Sequence, residues 1–391
     1  MKTVLVTGSA GFIGRNLVTA LRRRGDLTVL EFDLPDPPER MEALAAEADV
    51  VVHLAGVNRP KDEKEFVTGN VELTRRLCQA LVRAGRRAVF LLSSSIQAAL
   101  DNPYGRSKRA AEDVVAEYQR TARAAVYIYR LPNVFGKWSR PHYNTVVATF
   151  CHQISRGLPV EVCDRSRLLR LVYVDDVVRS FEGVIARPDH PPGCYRPEVL
   201  PEFSVTLGEL HDRLVGFRQM AEQGRVPDLS DPFNRALYAT YLSFCDPTAL
   251  ARPVVMKRDP RGWLFELIKS PQAGQIFVSL TRPGVTRGNH YHDTKVEKFC
   301  VIQGHGRIRL RPLHGSEILE YEVNDGEIRV VDIPPGYTHS IENTGTVDMI
   351  TLFWASEIFD PARPDTHPAP VGERPPGPAG EANTRPPSCP G

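Results

Sequence analysis

Neither sign of charge dominates this chain: 49 lysines and arginines stand against 47 aspartates and glutamates, a formal charge of +2. That balance gives no long-range pull on nucleic acid or an anionic membrane. No apolar run approaches the roughly 20 residues of a membrane-spanning helix. The run Thr3-Val4-Leu5-Val6 behind Met1-Lys2 is too short for a signal peptide, and Gly8 already begins a different motif. There is no C-x-x-C pair. The seven cysteines (Cys78, Cys151, Cys163, Cys194, Cys245, Cys300 and Cys389) are scattered. Free thiols in a reducing compartment explain them better than a disulfide framework. No internal repeat is visible. These absences predict a cytoplasmic protein with no nucleic-acid partner and no membrane span.

What is present suffices for two cores. The chain has 391 residues, 42% of them apolar, too long for one ordinary core and too apolar for global disorder. Up to about Pro201, short apolar runs alternate with helical patterns such as Gly14–Arg24 and Val71–Ala84. Val4-Leu5-Val6, Val29–Phe32, Val50–Leu54, Ala88–Leu92 and Val126–Tyr129 read as buried parallel strands. That alternation predicts an α/β, doubly wound, Rossmann-like parallel sheet. Thr206-Leu207-Gly208-Glu209 reads as a capping box that opens a further helix. After Asp246-Pro247 the pattern changes to short strands and turn glycines, as in an all-β barrel or jelly roll. The expected domains are therefore 1–246 and 247–360. Residues 361–391, dense in proline and glycine, read as a disordered tail.

The first motif is Thr7-Gly8-Ser9-Ala10-Gly11-Phe12-Ile13-Gly14, between a strand and a helix. Gly8 and Gly11 permit a tight turn and close approach to a pyrophosphate, and Gly14 lets the helix pack on the strand. Asp33 ends the second strand, nineteen residues after Gly14. A carboxylate there accepts from a ribose 2′-hydroxyl and repels a 2′-phosphate, which favours NADH. Arg15 and Arg40 are possible partners for a phosphate. Tyr104 and Lys108 are spaced four apart on a helix opened by Asn102-Pro103, so phenol and ammonium share a face. The cation is expected to lower the tyrosine pKa. Ser93-Ser94-Ser95 ends a strand just upstream, and Ser95 is placed to hydrogen-bond a carbonyl that Tyr104 protonates.

These residues resemble the extended short-chain dehydrogenase/reductase family. His53-Leu54-Ala55-Gly56 is similar to its turn beside the nicotinamide cofactor, and Asn70 to its active-site asparagine. The resemblance assigns cofactor contacts to Phe12, Ile13, Leu54, Ala55, Gly56, Asn70 and Lys108. Arg130-Leu131-Pro132-Asn133-Val134-Phe135-Gly136 resembles the substrate-side loop, and Arg170 precedes a segment like the one that meets a sugar nucleotide. Asp175-Asp176 reads better as a helix cap than as a catalytic pair.

The second chemistry lies between Gly284 and Asn343. His290 and His292 are two apart, so one strand face presents both imidazoles. Glu297 follows, then His339 after Pro334-Pro335-Gly336. Three imidazoles and one carboxylate suit a divalent metal; zinc, iron and manganese all accept them, with zinc the expected occupant. The spacing resembles both cupin motifs, except that Gly326 lies two residues early, which predicts a longer turn. Arg258–Glu266 resembles the opening strand of cupin sugar-nucleotide epimerases. Arg261 and Glu266 are thereby candidates to face the sugar or its diphosphate, a surface turn being the other reading.

Ser93–Tyr104 together with a following cupin resembles the bifunctional capsule-precursor enzymes of the CapF type, UDP-2-acetamido-2,6-dideoxy-hexos-4-ulose epimerase/reductases. The resemblance implies C3 epimerisation of a UDP-4-keto-6-deoxy-N-acetylhexosamine in the cupin, and then C4 reduction with NADPH by Ser95, Tyr104 and Lys108. NADH stays open because of Asp33. The expected product is a UDP-N-acetyl-6-deoxy-L-talosamine-type nucleotide, and a homodimer is implied. Tyr291, Lys295, Lys298 and Tyr337 are candidates for the epimerisation base. Competing readings are a reductase with a purely structural cupin, a sugar-nucleotide-binding regulator, and an iron cupin dioxygenase.

Overall fold

The computed structural model describes residues 1–372. In chain order the first half contains β1 (Lys2–Thr7), α1 (Phe12–Leu21), β2 (Leu27–Phe32), α2 (Pro38–Glu47), β3 (Val50–His53) and α3 (Lys64–Phe66). It continues through α4 (Leu73–Arg83), β4 (Val89–Ser95), α5 (Pro103–Ala122), β5 (Ala125–Leu131), β6 (Asn133–Phe135) and α6 (Val146–Ser155). It closes with β7 (Leu168–Tyr173), α7 (Val174–Ile185), β8 (Gly193–Tyr195), β9 (Glu202–Thr206), α8 (Leu207–Glu222) and α9 (Pro232–Phe244).

The main sheet is parallel throughout, in the order β2-β1-β3-β4-β5-β8. Both of its faces are covered, which is why its strands read as unbroken apolar runs. Val4, Val6, Val50, Val52 and Leu91 enter one core, whereas Leu5, Val51, Phe90 and Leu92 enter the other. The strand order reverses between β1 and β3. In such sheets ligands bind outside the carboxyl ends of the strands at that reversal, and the glycine loop and His53 sit there. A second sheet, β6-β7-β9, packs with α6, α8 and α9 around Phe135, Leu171, Leu210 and Leu237. The predicted capping box is made: Glu209 N–H donates to Thr206 Oγ1 at 3.1 Å and Thr206 N–H to Glu209 Oε2 at 2.8 Å.

The other half is antiparallel: β10 (Lys257–Asp259), β11 (Gly262–Ser270), β12 (Gly274–Thr281), β13 (Thr286–Tyr291), β14 (Glu297–Gln303), β15 (His305–Pro312), β16 (Leu319–Asn324), β17 (Val330–Ile333), β18 (Tyr337–Asn343), β19 (Met349–Ala355) and β20 (His367–Pro368). They form two sheets, β10-β11-β12-β19-β14-β17 and β16-β15-β18-β13-β20. Alternate residues, among them Phe299, Val301, Ile308, Leu310, Ile341 and Phe353, fill the core of this half.

Two boundaries differ from the sequence expectation. The chain divides into Met1–Arg218 with Ser230–Leu250, and Gln219–Leu229 with the chain from Ala251 onward. The change at 246/247 thus falls slightly later. The 219–229 segment joins the β unit because Val226 N–H donates to the Lys269 carbonyl and Lys269 N–H to that of Gly224. Disorder from residue 361 is also wrong up to 372. His367–Pro368 pairs with β13, and Val371 is 2% exposed. The rest of that expected tail, 373–391, lies outside the described residues.

Candidate functional sites

The glycine loop is built for close approach. Gly8 has φ +70°, and a Cβ there would lie 2.6 Å from the Ala55 nitrogen. A Cβ on Gly14 would lie 2.0 Å from the Gly8 carbonyl oxygen. One on Gly56 would meet the Asn70 amide oxygen at 2.6 Å. Gly11 is the N-cap of α1 and offers no side chain, so the first-turn N–H groups at Phe12 and Ile13 face any anion that docks. Asp33 accepts from Ala10 N–H at 2.6 Å and Leu34 N–H at 2.7 Å, which fixes its carboxylate beside the loop. Arg40 is engaged by Asp36, while Arg15 is exposed. These residues fit a nicotinamide dinucleotide.

Beneath the loop, His53 bridges Thr7 Oγ1 (2.6 Å) and Thr74 Oγ1 (2.9 Å). Burial, helped by the Lys108 charge, drives its pKa down to about 3. It is therefore a neutral strut between β1 and α4. Val67–Glu72 forms a π-helix, a rare local widening frequent at functional sites. It presents Asn70, which accepts from Val57 N–H (2.8 Å) and donates to the Val57 carbonyl (2.9 Å) and Ser107 Oγ (2.9 Å). The sequence held no signal for the π-helix, since apolar periodicity is nearly the same on either side.

Ser95, Tyr104 and Lys108 come together from the end of β4 and the first turns of α5. Asn102 caps α5 by accepting from Gly105 N–H at 2.8 Å. Ser95 lies beside the Tyr104 phenol, close enough to lower its pKa. Lys108 Nζ lies 6.0 Å from the Tyr104 ring centroid and donates to the Ser93 carbonyl at 2.8 Å. The expected lowering of the Tyr104 pKa is not found. Burial, with the Phe66 ring 5.6 Å away, raises it, and Ser95 only moderates the rise. The ammonium spends its directed bond on Ser93 rather than on the phenol. A raised pKa keeps the phenol protonated at neutral pH, the state a proton donor needs.

Burial brings the Lys108 pKa down to about 8, against support from Glu112. An unfolded lysine keeps its proton to about pH 10.4, so holding this one charged costs the fold on the order of 1–3 kcal/mol below pH 8. That cost fades as pH rises from about 8 towards 10, where the unfolded chain binds the extra proton. Lys108→Met is therefore expected to raise the thermal midpoint at pH 7. The gain should vanish in scans near pH 10, and a lower midpoint at pH 7 would contradict this account.

Behind the trio lies a charged cluster that the sequence did not reveal. Glu112, 3% exposed, receives Ser94 Oγ at 2.5 Å, Arg130 Nη2 at 2.7 Å and Arg196 Nη1 at 3.1 Å. Burial would raise its pKa, but these donors bring it below the ordinary value. Ser94 is thereby anchored between Ser93 and Ser95. Asn133 and Arg170 meet across β6 and β7, the Asn133 amide donating to the Arg170 carbonyl at 3.2 Å. The Arg170 guanidinium grips Glu202 at 2.6 and 2.8 Å. Asp175 and Asp176 occupy the first turn of α7 rather than its cap, which is Tyr173; they pair with Lys137 and Arg179.

In the β unit, His290, His292, Glu297 and His339 bring one ligand atom each to within 4.8 Å of one another. A bulge aims them. Arg287 pairs with Ile341 and His290 with His339, so Asn289 between them is an extra residue, at φ +61°. Without it, period-two alternation would send His290 to the face opposite Arg287 and His339. Two of the imidazoles have a backbone carbonyl as outer partner: Asp365 for His292 at 2.5 Å and Tyr337 for His339 at 3.3 Å. A carbonyl only accepts, so Nδ1 of His292 and of His339 carries the proton and Nε2 keeps its lone pair.

Those two Nε2 atoms are buried and make no hydrogen bond, although Glu297 Oε2 is only 3.2 and 3.4 Å away. Facing acceptors of this kind call for a cation, so the site fits a divalent metal held by all four residues. Burial, then the neighbouring rings of His339 and His292, lowers the His290 pKa to about 4. His290 is thus in its ligating form at neutral pH.

Arg261 and Glu266 are engaged locally, Arg261 with Asp259 at 2.6 Å and Glu266 with Lys257 and Lys269 at 3.0 Å each. Half-buried Arg287 shares the ligand face and donates to Thr281 Oγ1 (3.0 Å) and the Leu280 carbonyl (3.1 Å). Its place in Arg287-Gly288-Asn289-His290 was the only sequence signal for it.

Residues 4–195 match the NAD dependent epimerase/dehydratase family, and residues 257–367 match the polysaccharide biosynthesis C-terminal domain. The chain is 43% identical to a UDP-2-acetamido-2,6-beta-L-arabino-hexul-4-ose reductase from Pseudomonas aeruginosa, over 95% of this chain and 99% of the relative. The capsular polysaccharide assembling protein CapF from Staphylococcus aureus superposes with a TM-score of 0.85 at 44% identity, covering 94% of this chain and 99% of that one. MoeE5, solved with UDP-glucuronic acid and NAD, aligns at TM-score 0.50 and 25% identity over 56% of this chain and 82% of its own.

Proposed function

Because the chain belongs to the family that includes the Pseudomonas aeruginosa reductase and Staphylococcus aureus CapF, we propose that it is a bifunctional sugar-nucleotide enzyme of capsule or related polysaccharide synthesis. Its β unit inverts C3 of a UDP-2-acetamido-2,6-dideoxy-hexos-4-ulose, and its α/β unit reduces the C4 ketone. The observation that carries this reading is the pairing of a protonated Tyr104, beside Ser95, with a four-residue metal site on the same chain.

For reduction, Ser95 orients the C4 oxygen and Tyr104 gives it a proton. Lys108 keeps a positive charge near the developing oxyanion. A nicotinamide dinucleotide, held by Gly8, Gly11, Phe12, Ile13, Gly14, Asp33 and the Leu54-Ala55-Gly56 turn, supplies the hydride. Asn133 and Arg170 line the substrate side; Arg170 would release Glu202 to reach a phosphate.

For epimerisation, the C3 proton is acidic only while charge on the C4 oxygen is stabilised. A divalent metal held by His290, His292, Glu297 and His339, zinc being the expected ion, supplies that polarisation. The base must face the ligands. Lys298 is adjacent to the inward Glu297, so it points outward, to Asp332. Lys295 donates to the Pro364 carbonyl at 2.9 Å, and Tyr291 packs against His367 with the rings tilted, centroids 5.0 Å apart. Tyr337, two residues before His339 on β18, shares the ligand face and is the proposed base that takes the C3 proton; a proton from solvent, delivered to the opposite face of C3, completes the inversion. Arg261 and Glu266 are proposed sugar or diphosphate contacts that exchange their present ion pairs for substrate.

The test is NMR of the product formed from the 4-keto UDP-sugar in deuterated water. Deuterium at C3 with a reduced C4 supports the proposal, and an untouched ketone in the presence of metal and either cofactor refutes it. Asp33 sets the cofactor choice, its carboxylate opposing a 2′-phosphate. Asp33→Ala is expected to raise the NADPH-to-NADH ratio of kcat/KM about 10-fold or more. Steady-state rates with both cofactors decide this, and an unchanged ratio removes Asp33 from cofactor selection.

A further inference from the structure

We propose that Asp365 is a positioning residue for the metal ligand His292, holding that imidazole's tautomer and direction from a strap that crosses β13. The inference rests on the metal site proposed above and adds a residue outside the ligand set. Asp365 acts with both of its ends. Its carbonyl accepts from His292 Nδ1 at 2.5 Å. Its carboxylate gathers the turn that follows His292, accepting from Asp293 N–H at 2.8 Å, Thr294 N–H and Oγ1 at 3.1 Å each, and Lys295 N–H at 2.9 Å. Asp365 itself has φ +35°, a conformation that disfavours a non-glycine residue and persists only when its surroundings enforce it.

The strap is pinned on both sides of Asp365. Before it, Lys295, whose side chain is 5% exposed, donates to the Pro364 carbonyl at 2.9 Å. After it, Ala369 N–H donates to the Asn289 carbonyl at 2.9 Å and Val371 N–H to Asn289 Oδ1 at 3.2 Å. Asn289 is the bulge residue that turns His290 inward. Buried Arg311 donates to the Val371 carbonyl at 2.8 Å. One short segment thus fastens the outer partner of one ligand and the bulge that aims another. An acceptor on the far nitrogen of a ligating imidazole fixes which nitrogen is free and raises its basicity, and losing such a partner typically weakens metal binding about 10–100-fold.

The experiment uses the full chain with Co(II) as probe, read by its d–d absorption and by competition with a chelator. Native protein, Asp365→Ala, Asp365→Asn and His292→Ala are compared, with circular dichroism to establish folding. Asp365→Ala keeps the main-chain carbonyl but removes the carboxylate that holds it in place, so Co(II) is expected to bind more weakly, towards the low end of about 10–100-fold, with an altered d–d band. Asparagine keeps one acceptor oxygen, so Asp365→Asn should fall between. A purely structural loss would lower thermal stability and leave the band of the bound ion unchanged, and that result overturns the inference. So does an Asp365→Ala protein with native affinity and spectrum, or, should the alanine variant not fold, an asparagine variant with both. If native protein binds no Co(II), the metal site itself is refuted; native binding abolished in His292→Ala upholds the site whatever Asp365 does.

Discussion

Tyr104→Phe is expected to lower the rate of ketone reduction by about 10³-fold, with little change in KM and with deuterium incorporation at C3 at the native rate. The substitution removes one oxygen and keeps the ring against Phe66, 5.6 Å away. Substrate and cofactor should still bind, so the loss should appear in kcat. General-acid groups contribute about 10²–10⁴-fold, and burial holds the Tyr104 phenol protonated, so its loss takes away the donor outright. Water is a weak substitute behind a half-buried ring. Stopped-flow cofactor oxidation and NMR exchange on one preparation measure both quantities. Exchange falling together with reduction would mean that the two reactions share a site. Reduction within tenfold of native would mean that the proton comes from elsewhere.

Legibility differed from residue to residue for physical reasons. The glycine loop, Tyr104 and Lys108 are local patterns whose flanking strand or helix is also local, so spacing alone placed them. The Tyr104 pKa was misjudged because spacing fixes a shared helix face but not where a flexible ammonium spends its hydrogen bond, here the Ser93 carbonyl. Period two puts His290 and His292 on one face, and their ring centroids lie 5.0 Å apart. Which face was decided by Asn289 in the left-handed region, and Gly288-Asn289 was the only hint of that bulge. Residues 361–372 were read as disordered from proline and glycine content. Composition does not register that one aspartate carboxylate gathers three successive backbone N–H groups 70 to 72 positions away. The Glu112 cluster escaped for the same reason, since Arg196 reaches it across 84 residues.

His290→Ala is expected to strip the metal and reduce C3 exchange to background, while a ketone supplied in the already inverted configuration is still reduced. The His290 ring packs 4.5 Å from His339 and 5.0 Å from His292, so its removal opens one side of the ligand set and leaves the other three residues in place. Structural zinc sites bind with about 10–16 kcal/mol, and an equal share among four ligands is roughly 3 kcal/mol, about 100-fold in affinity. Because burial and the neighbouring rings hold the His290 pKa near 4, the native imidazole competes with no proton at neutral pH, and the loss cannot be recovered by raising the pH. Elemental analysis after dialysis, run beside the exchange assay, separates the remaining readings. If the metal serves only to hold the β unit together, its loss lowers the thermal midpoint while any unit still folded exchanges C3 normally. If the metal polarises the C4 carbonyl, exchange disappears in folded protein. Full metal occupancy in His290→Ala would take this histidine out of the ligand set.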